Sequence, residues 1–170
     1  MGSSNAASRI LTRRRRGRAL ALCVLAGLIG QAAAATCAPG RAELQTPDGR
    51  IAVFAVEISD TDAERERGLM FRTDLPRGSG MLFVYDTPRH ARYWMKNTLI
   101  PLDILFFDSA GVLKHVAPLA QPQDLTPIDG GPGTRYVLEV NGGLAAPLGL
   151  VPGTRLRAAE MTAPLAWPYE

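Results

Sequence analysis

The segment Tyr93–Asp108, YWMKNTLIPLDILFFD, sets Trp94, Lys96, Asn97 and Asp103 among apolar neighbours. Read as a strand, His90, Arg92, Trp94 and Lys96 share one face, and Ala91, Tyr93, Met95 and Asn97 the other. A cationic face bearing one indole suits a small anion, or a sugar stacked on Trp94. The structural alternative makes Trp94 a core plug near a rim, with Lys96 snorkelling to water. Asn97 either touches a ligand or closes a turn with its side chain. Asp103, between Leu102 and Ile104, needs a cation or several N–H donors if buried. Lys96, Arg65, Arg67 and Arg72 are the cations on offer. The plainer role for Asp103 is a structural ion pair, or a brace for the turn at Asn97-Thr98. Glu139, between Leu138 and Val140, joins Asp103 as a pair of carboxylates for acid–base work on a glycosidic bond. Arg65, Arg67 and Arg72 surround GLMF. They either aim a guanidinium fork at an anion or sit solvated at a helix end.

Other chemistries find no footing. The chain has no G-x-S-x-G, P-loop or dinucleotide fingerprint. His90 and His115 stand apart, and no H-x-x-x-H or C-x-x-C occurs, so neither a metal nor a cofactor is expected. Met70, Met81 and Met95 with a histidine would suit copper(I). Methionine in apolar strands more commonly fills core.

These residues follow a leader. Six arginines between Arg9 and Arg18 precede the apolar run ALALCVLAGLIG, which is too short to span a bilayer. Small residues then lead to a cleavage site after Ala35, so residues 1–35 read as a signal peptide. The expected destination is the periplasm or the exterior. A lipid anchor on Cys37 and twin-arginine export are the minor variants. Residues 36–41 form a linker, 42–160 one domain and 161–170 a tail. Without the leader, 13 basic residues face 16 acidic ones, so the high pI of about 9.2 reflects export and not nucleic-acid binding. Cys37 then has no partner thiol, and burial alone must hold the fold. No membrane span is expected after cleavage.

The elements that must position the site follow from the pattern. Pro47-Asp48-Gly49 joins two apolar runs as a hairpin, and Ile51–Ile58, apolar on both faces, should be a central strand. Thr61 and Glu64 form a capping box for a helix of about two turns, stopped by Gly68 in a left-handed conformation, with Leu69 packing back. Met81–Asp86 is a strand closed by Thr87-Pro88. HARYWMKN is a further strand. Leu102–Asp108 pairs with VLKHVAPLA through Ser109-Ala110-Gly111. Residues 118–133, rich in Pro and Gly, form a long irregular loop, with the character of a lid, a binding loop or a mobile excursion. Tyr136–Asn141 is a strand, GGLAAPLGL a weak helical turn, Pro152-Gly153 a type II turn and TRLRAAEM a last strand. The tail lies along the surface or frays. About seven strands with one or two short helices imply a mainly β barrel or sandwich.

ERERGLMFRTDLP, GMLFVYD, YWMKNTLIPLDILFFDSAGVL and YVLEVNGGLAAPLGLVPGTRL occur in this order in one family. The chain resembles the domain of unknown function 192 over about residues 42–160. The resemblance implies a compact β-rich domain, commonly exported in bacteria, and no established activity. Pro147 departs from its cleaner helix and should distort that turn. Three functional expectations follow. The first is a binding module for a small anion or saccharide at Trp94, Lys96, Asn97, Arg65, Arg72 and Asp103. The second is an envelope polysaccharide hydrolase using Asp103 and Glu139. The third is a structural or assembly factor with no small-molecule site.

Overall fold

The computed structural model describes residues 40–162 and 164–168. The expected signal peptide, most of the linker and Cys37 lie outside the described residues. Seven strands run β1 (Arg41–Gln45), β2 (Ile51–Ser59), β3 (Ser79–Tyr93), β4 (Leu102–Phe107), β5 (Leu113–Ala120), β6 (Ile128–Asn141) and β7 (Arg155–Ala158). Two short helices, α1 (Asp62–Arg67) and α2 (Ala145–Leu148), follow β2 and β6. The strands form one curled sheet, a half-barrel in the order β5-β4-β6-β3-β2-β1-β7. Only β2 and β3 run parallel, because α1 lies in the connection between them.

The two outer strands approach each other at one end of the curl. Leu113 N donates to Thr154 O at 2.8 Å, Gly153 N to Leu113 O at 2.9 Å and Leu156 N to Gly111 O at 2.8 Å. This seam partly closes the barrel and shields edges that would otherwise be open to pairing. One apolar cluster takes residues from all seven strands, Leu44, Phe54, Leu82, Phe107, Leu113, Leu138 and Leu156 among them, and fills the concave side. A second lies on the other face of β3, β4 and β6, where Phe83, Ile104, Phe106 and Val137 are covered by Leu69, Leu75, Met95 and Ile100. Strand β4 is therefore buried at every position.

Several expectations change. Strand β2 is central, between β3 and β1, but its two apolar faces are not both buried: Ile51 and Val53 are exposed, since the 69–75 segment packs on β3 and not on them. The strand expected to close at Pro88 continues as β3 to Tyr93, taking up Pro88 in a stretch of register shifts against β6. It ends before Trp94. The 118–133 segment is not a lid. Strand β5 runs to Ala120 and β6 starts at Ile128, so only 121–127 connect them. Gly130 serves packing, because a Cβ there would lie 2.1 Å from Phe106 Cδ1, while Gly131 and Gly133 supply positive φ, +75° and +74°.

Most other local signals act as read, the left-handed stop at Gly68 and the distortion at Pro147 excepted. The Thr61–Glu64 capping box is present, and Leu69 is buried behind α1. Gly68 has φ +48° with ψ −136°, positive in φ but outside the left-handed helical region. Pro147 sits within the first turn of α2, where its missing N–H has no intrahelical partner to lose. Gly153, at φ +95°, is the third residue of a turn closed by Thr154 N on Val151 O, as type II requires. The described part of the tail lies along the surface: Ala166 N donates to Ala110 O, and Trp167 stacks on Arg157 at 3.8 Å.

Candidate functional site

A cleft of about 500 Å³ opens beside the second cluster. Its floor is Phe83 and Tyr85 of β3, Tyr93 at the end of β3 and Glu139 of β6. One wall is the end of α1 with Gly68, Leu69 and Met70. The other is Arg92–Thr98.

Burial in Arg92–Thr98 still alternates after β3 ends. Ala91 and Met95 are buried, while Arg92, Trp94 and Lys96 face outward. His90 departs from this set: its Nε2 bonds Asp129 Oδ1 at 2.7 Å in a separate depression. Trp94 is not a core plug, being 50 % exposed. Lys96 Nζ stands 5.0 Å over its ring. Asn97 adopts φ +56° in the turn closed by Thr98 N on Met95 O, and its carbonyl accepts from Phe71 N at 2.7 Å. The backbone of Asn97 thus shapes the turn and ties the two walls together, and its side-chain amide adds a contact from Nδ2 to Met70 Sδ at 3.9 Å. Phe71 also has positive φ, +64°, which is costly for a bulky residue, and strain of this kind gathers at functional surfaces.

Glu139 is the unusual group. It is 6 % exposed, and its neighbours across the sheet on the same face are Met81 and Ile104. Among the described residues its carboxyl has no hydrogen bond and no ion pair. Burial pushes it up to about 8, so it is a neutral acid at pH 7. Gly68 leaves the approach to it open: a Cβ there would lie 3.2 Å from Phe83 Cζ and 3.9 Å from Glu139 Oε2. Tyr93 packs edge-on against Phe83 and Phe106 and shares a 2.8 Å hydrogen bond with the Tyr85 hydroxyl. Burial, then the charges of Tyr85 and Glu139, raise the Tyr93 phenol well above its ordinary value.

The remaining candidates separate. Asp103 pairs with Val140 and Ile104 with Glu139, so Asp103 and Glu139 point to opposite faces of β4–β6. The sheet stands between them, and they form no acid–base pair. Asp103 is fully buried and accepts from Leu119 N at 2.8 Å, Gly143 N at 2.9 Å and Ala145 N at 2.7 Å. Backbone donors satisfy it, with no cation, and it caps α2. Arg72 lies outside the cleft in a bidentate pair with Glu57 at 2.6 and 2.5 Å. Arg65 lines the cleft, but its donors reach Val84 O at 2.9 Å, Asp62 Oδ1 at 2.7 Å and Asp60 O. It clamps α1 onto β3. Arg67, Arg92 and Lys96 line the cleft and make no salt bridge among the described residues. Arg92, Tyr85, Tyr93 and Gly68 belong to the site and were missing from the expected set. Arg92 alone carried a signal, its position two residues before Trp94. Among the described residues no three of His, Cys, Asp or Glu are placed to hold a metal ion, and no helix is long and apolar enough to cross a membrane.

The fold and cleft together define a curled β domain with a lateral, cation-rimmed recess. The family model of the domain of unknown function 192 (DUF192), described as an uncharacterized ACR, matches residues 43–158, and the chain belongs to that family. It is similar to a solved protein of unknown function from Novosphingobium aromaticivorans, 39 % identical, with a TM-score of 0.68 over 74 % of this chain and 94 % of that one. A Sinorhizobium meliloti structure, described as a candidate transcription regulator, is likewise 39 % identical with a TM-score of 0.68, over 74 % of this chain and 97 % of its own. No curated protein matches the chain.

Proposed function

We propose that the chain is a binding module of the cell envelope whose cleft takes a small anion or saccharide. The observation that carries this reading is the convergence at one recess of a half-exposed indole, Trp94, and three cations, Lys96, Arg67 and Arg92, none of them in a salt bridge among the described residues. An indole left half in water is an apolar platform for a ring, and unpaired cations beside it supply charge-assisted bonds to an anion. Its size suits a ligand of one or two rings. The arginines and apolar run of residues 9–30, read as an export leader, support the envelope as the setting.

Titration calorimetry against a panel of simple anions and monosaccharides tests it. Trp94→Ala and Lys96→Ala are each expected to weaken the detected affinity by about tenfold, which is about 1.4 kcal/mol. Arg72→Ala, outside the cleft, should leave it as it is. Equal affinities in all four proteins would remove the cleft from consideration.

A further inference from the structure

Resting on that reading of the cleft as a binding site, the ligand's chemistry can be narrowed. Each part of the recess excludes something. An inorganic anion would leave the Trp94 ring unused. A neutral sugar would leave Arg67 and Arg92 without an ionic partner, and Lys96 with the Trp94 ring alone. Glu139 is more than nine-tenths buried, faces the recess beside Gly68, and has no hydrogen-bond partner among the described residues. Such a group calls for a polar atom from the ligand.

We propose that the cleft binds an acidic monosaccharide unit, a pyranose carrying a carboxylate. One face of the ring stacks on Trp94, the carboxylate lies toward Lys96, Arg67 and Arg92, and the Glu139 carboxyl donates its O–H to a ring or hydroxyl oxygen. Stacking uses the C–H face of the pyranose, and the carboxylate meets the guanidinium and ammonium donors at the rim. Gly68 keeps the path to Glu139 free of side chains.

A pH dependence follows. With Glu139 pushed up to about 8, its carboxyl is neutral below that pH and donates. Above it, the carboxylate loses the donor and repels an anionic ligand. The other titratable and charged groups lining the recess are Arg65, Glu66 and Arg67 from α1, Tyr85, Arg92 and Tyr93 from β3, and Lys96 from the next turn. Strand β4 contributes the apolar Ile104 beside Glu139. Affinity is therefore present below about pH 8 and fades above it.

Titration calorimetry on the full chain uses D-galacturonate and N-acetylmuramate as probes, with D-galactose and acetate as controls, at pH 6.5 and 9.5. The expected result is binding of an acidic sugar at least tenfold tighter than either control, falling at least tenfold at pH 9.5 in the wild type. In Glu139→Gln, which keeps a neutral donor, that pH-dependent fall should largely vanish. The wild-type comparison needs no variant, so a poorly folded Glu139→Gln leaves the test intact. Acetate or galactose binding as well as the acidic sugars overturns the acidic-sugar assignment while the binding reading stands. An affinity as high at pH 9.5 as at 6.5 does the same for the role of Glu139. No binding by any probe, together with no effect of Trp94→Ala in the wider panel, overturns both.

Discussion

A carboxyl with no partner in an apolar floor is an energetic liability, and Glu139 is one. In the unfolded chain it titrates near its ordinary value of 4.5, while in the fold burial moves it to about 8. Between those values the native state keeps a proton that the unfolded state has released. Stability therefore falls as pH rises through this window, by about 1.4 kcal/mol per pH unit at most, and stays reduced above it. Glu139→Gln removes the penalty. Thermal melts should show the variant close to wild type near pH 4.5 and roughly 5 °C or more above it by pH 8.5. A gap that does not widen with pH would mean the carboxyl reaches water. A chain that tolerates this group has a reason to hold a neutral donor in the recess, as the proposed ligand contact supplies.

Among the elements, Asp103 and the segments it joins carry the architecture. One carboxylate on β4 holds the end of β5 through Leu119, the turn after β6 through Gly143 and the start of α2 through Ala145. Helix α2 has no side-chain cap from its own N-terminal residue, so a carboxylate from a distant strand does that work. Asp103→Ala would leave three N–H groups unpaired, the buried one of Ala145 at about 1–3 kcal/mol and the part-buried ones of Leu119 and Gly143 at less. The melting temperature should drop by roughly 10 °C or more, while affinity measured on the folded fraction at low temperature stays within about twofold of wild type. Loss of binding without loss of stability would return Asp103 to the site. The walls of the cleft obey a similar logic. Asn97 and Phe71 hold one another through a backbone hydrogen bond, both at positive φ, and the recess takes its shape from that contact.

At the level of the whole molecule, the curled sheet depends on its seam. Gly111, at φ +76°, lies where a Cβ would stand 2.6 Å from Leu156 O, so only glycine lets the β4–β5 turn meet β7. Gly111→Ala should open the seam. Hydrogen exchange is expected to accelerate at the Leu113 and Leu156 amides, which bond across it, more than at Leu138 in the centre of β6. Equal protection in variant and wild type would show the seam to be incidental. Strand β7 is held from its other side by Arg157, which reaches Glu43 on β1 at 2.8 Å under the ring of Trp167. The Arg157 hydrogen bond comes first among the causes that hold Glu43 below the usual carboxylate range. The recess lies outside the curl, against the second cluster, so the seam bears on stability and not on the cleft.

Signals that act within a few residues were legible in the amino-acid sequence. The Thr61–Glu64 cap, the Pro47-Asp48-Gly49 hairpin, the Pro152-Gly153 turn and the burial of Leu102–Phe107 all depend on neighbours in the chain, and the seven strands follow from them. The apolar setting of Asp103 and Glu139 was equally visible. What only the tertiary structure decided was which face each group meets and who stands opposite. Two strand positions one residue out of step in a ladder send Asp103 and Glu139 to opposite sides of β4–β6, and no local pattern reports that register. Arg72 found Glu57 fifteen residues away, Arg65 found the β3 backbone, and Arg92 and Tyr93 reached the cleft instead. Partners far apart in the chain are chosen by the curl of the sheet, because cross-strand contacts are set by packing and not by sequence spacing.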